Sequence, residues 1–175
     1  MRTEKLEEFV RPFYALKDPM HDLTHVRRFL KAARSIAISH HCDGEILTYA
    51  AYFHGVDRVS NKAALIGFLR AQGLSRDEAT RVLDVSLESH KGSRPKSTEG
   101  KVLHDAHLLE GGGAFMVAKS IGTGIARGNS LRQIADYYER ETDRKFYCCF
   151  TENRRAYARN QRYAREFFRS LKASL

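Results

Sequence analysis

Eight histidines stand in this 175-residue chain, and several fall into short patterns that could do chemistry. His21 and His25 lie at i, i+4 in "HDLTH", which puts both on one face of a helix. His54 closes the apolar run "LTYAAYF" and is followed by Gly55, with Asp57 three positions after the histidine. His90 stands in "LESHK", and His104, Asp105 and His107 share "HDAH". Neutral imidazoles and carboxylates are ligands for a hard-to-borderline divalent cation, and a helical core can gather them from several helices at once. Taken singly, each histidine is most simply a hydrogen-bonded core or surface residue. As an ordered set they point to a metal.

The elements that must position them are helices. The chain carries only three prolines and an almost unbroken i, i+3, i+4 apolar rhythm, with no alternating strand pattern. A first helix is expected over about Glu4 to Leu16, with Pro12 as a point where it could kink or split, closed by Asp18-Pro19. Further helices follow over about Asp22 to Ser39, Glu45 to His54, and Asn61 to Gln72. Ser75 to Glu78 is a capping box that opens a fifth helix running to about His90, and "KGSRPKS" is a loop. Helices over Thr98 to Glu110 and Ala114 to Ile121 come next. A second capping box at Ser130 to Gln133 then starts a helix to about Arg140, and a long one spans Thr151 to Leu171. The class is all-α, and at this length one domain burying roughly two-thirds of its unfolded surface is expected.

Composition narrows the function classes. The apolar runs are short and interrupted by charge, so no membrane span is expected, and "MRTEKLEEF" lacks the apolar stretch of a secretory signal. Cys42, Cys148 and Cys149 make no CxxC spacing, so neither a disulfide framework nor a thiolate zinc site is expected, and a reducing cytoplasm fits. The formal charge of +9 favours phosphate-bearing partners, either small nucleotides or a nucleic acid polymer. From Arg140 to Leu175 ten Lys/Arg stand against four Asp/Glu, so that segment carries +6 of it, and in the last helix Arg155, Arg159, Arg162 and Arg169 form a stripe opposite Tyr157, Ala164, Phe167, Phe168 and Leu171. A solvated polar face is the simpler reading of that stripe, and no recognised nucleic-acid-binding motif supports the other. The glycines of "GGG" and "GTG" have no preceding strand and no following Lys-Ser/Thr, so they make no phosphate loop and instead suggest close packing against the metal-bearing helix.

With those residues in view, the chain resembles the small, stand-alone HD-domain proteins, a family of metal-dependent phosphohydrolases. Its pattern is "HDxxHVxRV", a His-Asp pair at the end of an apolar helix, a later histidine, and "DADRLEALGAIGIAR". Here "HDLTHVRRF" supplies His25, "AAYFHG" supplies His54, "LESHK" supplies His90, and "DAHLLEGGGAFMVAK" supplies Asp105, with Leu109, Glu110, Gly113, Ala114, Ala118 and Lys119 at matching offsets. The motifs run from about residue 18 to 125, and the helices over about 130–172 would pack on the same core of a single domain.

The resemblance implies a compact helical bundle whose His25, His54 and Asp105 hold one divalent ion. It implies hydrolysis of a small phosphorylated substrate, a nucleotide foremost, with Arg28 and Lys91 contacting phosphate and His90 serving as acid/base or phosphate contact. The alternative is an impaired relative that binds nucleotide or metal as a regulatory module. The sequence departs from the pattern at three places: Gly55 stands where the pair's aspartate belongs, and His107-Leu108 replace Asp-Arg. A histidine-rich set suits Zn, Mn, Fe, Ni or Co better than Mg, which wants oxygen donors. Asp57, His104 and His107 are candidates to fill the vacancy, and Gly55→Asp is expected to tighten the metal.

Overall fold

The computed structural model describes residues 3–175. Among these, every regular element is a helix: α1 (Thr3–Tyr14), α2 (Leu23–Ala37), α3 (Gly44–Phe53), α4 (Arg58–Ala71), α5 (Arg76–Glu88), α6 (Thr98–Leu109), α7 (Gly112–Ala126), α8 (Leu131–Glu141) and α9 (Thr151–Ala173). The helix starts are written in short polar side chains. Asp22, Asp43, Asp57, Ser75, Ser97 and Ser130 each accept from backbone N–H groups of the turn they precede, and the boxes at Ser75 and Ser130 are closed by Glu78 and Gln133.

Asp57 therefore starts α4 at Arg58, earlier than the apolar rhythm predicts. Its carboxylate accepts from Val59 N, Ser60 N and Ser60 Oγ at the surface, so it is a cap and not a metal ligand. Asp57→Ala is expected to lower the melting temperature and leave metal affinity unchanged, a pairing that thermal melts and metal titration check directly.

α3 occupies the centre. Its residues from Ile46 to Phe53 are all buried, and it touches α1, α2, α5 and α6. Leu6, Val10, Phe29, Leu65, Leu69, Val82 and Leu103 close around it as the main core. A second apolar cluster, with Val117, Ile134, Tyr138, Ala164 and Phe168, ties α7, α8 and α9 together. α1 runs through Pro12 without splitting and ends two residues later.

α7 extends to Ala126, beyond the expected end at Ile121, because the "GTG" glycines let it pass close to its neighbours. A Cβ on Gly124 would stand 2.3 Å from Ile134 Cγ1 of α8, and one on Gly113 would stand 3.0 Å from Tyr163 Cβ of α9. Gly124 and Gly113 thus serve α8 and α9, and Gly122 faces Met20 in the segment before α2, so none of the three packs against α6. Gly111 and Gly112, at φ 66° and 73°, make the left-handed turn from α6 to α7. Arg155, Arg159, Arg162 and Arg169 are exposed, as a solvated face requires.

Candidate metal centre

Two helices and the end of a third bring the site together. His25 stands in the first turn of α2, which Asp22 caps; His54 is the C-cap of the buried helix α3; His107 lies in the last turn of α6. One ring nitrogen from each lies within 4.8 Å of the other two. The rings of His54 and His107 meet edge-on at 4.5 Å between centroids, and His25 is 5.9 Å from each.

The hydrogen bonds fix the tautomers. His25 Nδ1 donates to Glu110 Oε2 at 2.8 Å, because a carboxylate can only accept. His107 Nδ1 donates to the carbonyl of Ser89 at 3.2 Å for the same reason. Ser89 Oγ spends its proton on Ser86 O, so it accepts from His54 Nδ1. Each ring thus carries its hydrogen on Nδ1 and its lone pair on Nε2. Burial holds His54 and His107 well below the usual histidine value, and neighbouring cations and imidazoles add to the effect. His25 is lowered too, burial outweighing the opposing pull of Glu110. Three neutral imidazoles, each anchored through the other ring nitrogen, form a donor set that fits a borderline divalent ion and is poorly matched to Mg²⁺.

Glu110 is the electrostatic centre of the arrangement. It accepts from His25, from Arg28 Nε at 3.0 Å and from Lys119 Nζ at 3.1 Å. Burial alone would raise its carboxyl, but the His25 hydrogen bond and the Lys119 charge hold it at about 2. Sequence reasoning gave no role to Glu110, Lys119 or Ser89. The first two were visible only as matches in the "LLEGGGAFMVAK" stretch, and Ser89 carried no signal.

The other expected site residues are distributed differently. The structure turns Asp105 away from the three histidines. Its fully buried carboxylate accepts from Cys149 N at 2.6 Å, Phe150 N at 3.0 Å and Asn153 Nδ2 at 2.9 Å. The physical reason is that Phe150, the N-cap of α9, brings no capping side chain, and Asp105 reaches from α6 to hold the N–H groups of Cys149 and Phe150 just before the helix and the Asn153 amide in its first turn. His107, two residues on, takes the place beside His25 and His54.

His90 is exposed, its ring 4.8 Å from that of His54, and its Nε2 accepts from Arg58 Nη2 at 2.9 Å. Arg28 is committed to Glu110 and to Thr24 Oγ1, with its guanidinium over the Phe115 ring. His21 is held by Asp18 at 2.8 Å.

Gly55 lies beside the cluster with Lys17 against it. Lys17 Nζ donates to Gly55 O, Tyr14 Oη accepts from Gly55 N, and a Cβ at this position would stand 2.5 Å from Lys17 Nζ and 2.8 Å from Tyr14 Oη. The space of the missing side chain is filled by an ammonium group and a phenol.

A cavity of about 250 Å³ opens alongside, and His21, Lys91, His107, Lys119, Arg127 and Tyr137 are among its lining residues. Burial lowers Lys91 to about 8, with the nearby Lys119 charge acting in the same direction.

No family model and no curated protein matches the chain. Solved structures do match along nearly all of it. An HD-superfamily hydrolase from Bacillus thuringiensis superposes with a TM-score of 0.67 at 20% identity, over 99% of this chain and 98% of that one. The chain folds as an HD domain. A Lactobacillus plantarum protein is similar in fold at TM-score 0.83 and 17% identity, over 99% and 97% of the two chains. Bacillus subtilis YpgQ in complex with ADP gives 0.77 and 19%, over 99% and 98%. At such identities the shared property is the HD-domain fold. No helix among the described residues is long and apolar enough to cross a membrane.

Proposed function

We propose that this HD-domain chain is a metal-dependent phosphohydrolase acting on a nucleotide or another small phosphate ester. The observation that carries the reading is the convergence of His25, His54 and His107, each with Nδ1 anchored and Nε2 free, at the edge of a cation-lined cavity. These three residues would hold the ion through Nε2. A bound transition ion would supply a Lewis acid for the phosphoryl oxygen and a water of lowered pKa.

The chain's own residues do the rest. Lys91 and Lys119 present ammonium groups to the phosphate side of the cavity, and Tyr137 offers an aromatic ring for a base. Lys91 Nζ, at about 8, is charged at neutral pH and poised to yield a proton to a leaving oxygen. Glu110 keeps His25 in its tautomer and offsets the surrounding positive charge. His90, exposed beside His54 and held by Arg58, would meet phosphate from the solvent side, and Arg28 shapes the site through Glu110. A nucleotide is the favoured substrate class because YpgQ, a neighbour in fold, is seen with ADP.

The test is metal binding joined to turnover. Protein reconstituted with Zn²⁺, Mn²⁺, Fe²⁺, Co²⁺ or Ni²⁺ is expected to release phosphate or a nucleotide monoester, and a chelator is expected to stop it. His54→Ala and His107→Ala should each remove one equivalent of metal and cost several kcal/mol of transition-state stabilisation. Hydrolysis that survives both the chelator and His54→Ala would refute the assignment.

A second reading rests on Lys17. An ammonium in the space of the Gly55 side chain, with the Arg58 charge nearby, favours capture of an anion without turnover, as a regulatory module would need. Tight nucleotide binding with no hydrolysis under any metal would select it.

A further inference from the structure

A second group of ligand-bearing side chains lies at the opposite end of the Asp105 turn, and it shares no residue with the three histidines. His104 Nδ1 stands 3.4 Å from Asp105 Oδ1 and 3.7 Å from Cys149 Sγ, and one donor atom from each of the three lies within 4.8 Å of the others. His104 Nε2 is 3.3 Å from the carbonyl of Lys91, which can only accept, so the ring hydrogen is on Nε2. The Nδ1 lone pair therefore faces the carboxylate oxygen of Asp105. Two acceptors are held against each other in a buried place, with only a weak and distant S–H to bridge them. Something positive belongs between them.

We propose that His104, Asp105 and Cys149 form a second metal site, distinct from the three-histidine centre, for a thiophilic divalent ion of the zinc class. Bonds of 2.0–2.3 Å to a tetrahedral ion place neighbouring ligand atoms roughly 3.3–3.8 Å apart, and both distances from His104 Nδ1 fall in that interval. One imidazole, one carboxylate and one thiolate carry two negative charges, which neutralise the ion. The three-histidine set carries none.

The backbone N–H of Cys149 already occupies one lone pair of Asp105 Oδ1, and the second remains for the cation. Binding replaces the thiol proton of Cys149, which leaves to solvent, and Cys149 is open enough for water to complete the fourth position. Cys148 cannot contribute, being fully buried against Leu108 and Tyr157. A nucleophilic role is the other chemistry such a trio suggests, but burial and the Asp105 charge raise the Cys149 thiol to about 11, so it keeps its proton at neutral pH. An ion here would clamp α6 to the start of α9. It would also fix the Lys91 carbonyl, and with it the segment that carries Lys91 to the cavity.

The proposal stands independently of the hydrolase reading, and Zn²⁺ and Co²⁺ alone are the probes. In the full chain, Zn²⁺ is expected to slow iodoacetamide alkylation of Cys149 by at least about tenfold, read by mass spectrometry, while Cys42 reacts unchanged. The protection should persist in His54→Ala and vanish in His104→Gln. Co²⁺ should give a thiolate-to-cobalt charge-transfer band in the wild type and in His54→Ala, and none in Cys149→Ser, a substitution that preserves shape. If His104→Gln misfolds, the cobalt comparison decides alone. Equal alkylation with and without zinc, protection that survives His104→Gln, or a cobalt band that survives Cys149→Ser would each overturn the proposal.

Discussion

Asp105→Ala is expected to destabilise the fold by about 3 kcal/mol, since a buried carboxylate with several hydrogen bonds leaves its donors unsatisfied when removed. The donors stranded would be the N–H groups of Cys149 and Phe150 and the amide of Asn153, at the start of a helix that has no other cap. For a chain of this size, that loss lowers the melting temperature by roughly 6–12 °C. Asp105→Asn should fall between, because one oxygen still accepts while the new amide group meets donors. Differential scanning calorimetry in metal-free buffer reads both. A mutant that melts like the wild type would mean that α9 does not depend on Asp105, and the reason given for its turning away from the histidines would fall.

The difference between Asp105 and His107 shows where legibility in the sequence ended. The helical class and the capping boxes at Ser75 and Ser130 could be read from spacing and side-chain chemistry, whereas the approach of His25 to His54 was implied by the resemblance. The choice between positions 105 and 107 needed the rotational phase of α6. That helix is buried nearly all round, with Val102, Leu103, His104, Asp105, Ala106 and Leu108 inside. An amphipathic stripe fixes a helix's phase, and a helix wrapped on every side has none.

The ion-pair hub at Glu110 was equally hidden, because its partners Arg28 and His25 lie more than eighty residues away, at separations of 82 and 85. Pairings of that range have no local signature. The cap at Asp57 was the opposite case. An Asp three residues after a histidine suggested a ligand by proximity, whereas its ordinary role at a helix start explains every bond it makes.

Gly55→Asp sets the resemblance against the packing most sharply. A glycine in the place of an aspartate reads as a lost ligand that could be restored, and on that reading the substitution tightens the metal. The surroundings argue otherwise. A Cβ at position 55 meets Lys17 Nζ at 2.5 Å, Tyr14 Oη at 2.8 Å and Tyr14 Cε1 at 2.9 Å. Tyr14 cannot give way easily: it is 3% exposed, its hydroxyl donates to Tyr52 O at 2.9 Å, and it accepts from Gly55 N at 3.0 Å. Crowding of that kind costs typically about 1–3 kcal/mol.

The new carboxylate would also arrive next to the Lys17 ammonium. That group is partly desolvated and already bound to the Gly55 carbonyl, so an ion pair with it competes directly with the metal. Gly55→Asp alone is therefore expected to lower stability and to change the affinity of the three-histidine centre by less than about threefold. The double change Gly55→Asp with Lys17→Ala should tighten it about tenfold or more, since a free carboxylate adds charge and a hard oxygen donor. Competition with a chromophoric chelator, in a Cys149→Ser background that leaves only the three-histidine centre to titrate, distinguishes the two. A tenfold gain from the single substitution would mean that Lys17 yields the space freely and that the centre lacks only its carboxylate. No gain from the double would mean that position 55 does not face the ion at all, and that the three imidazoles are the whole of the centre this chain has built.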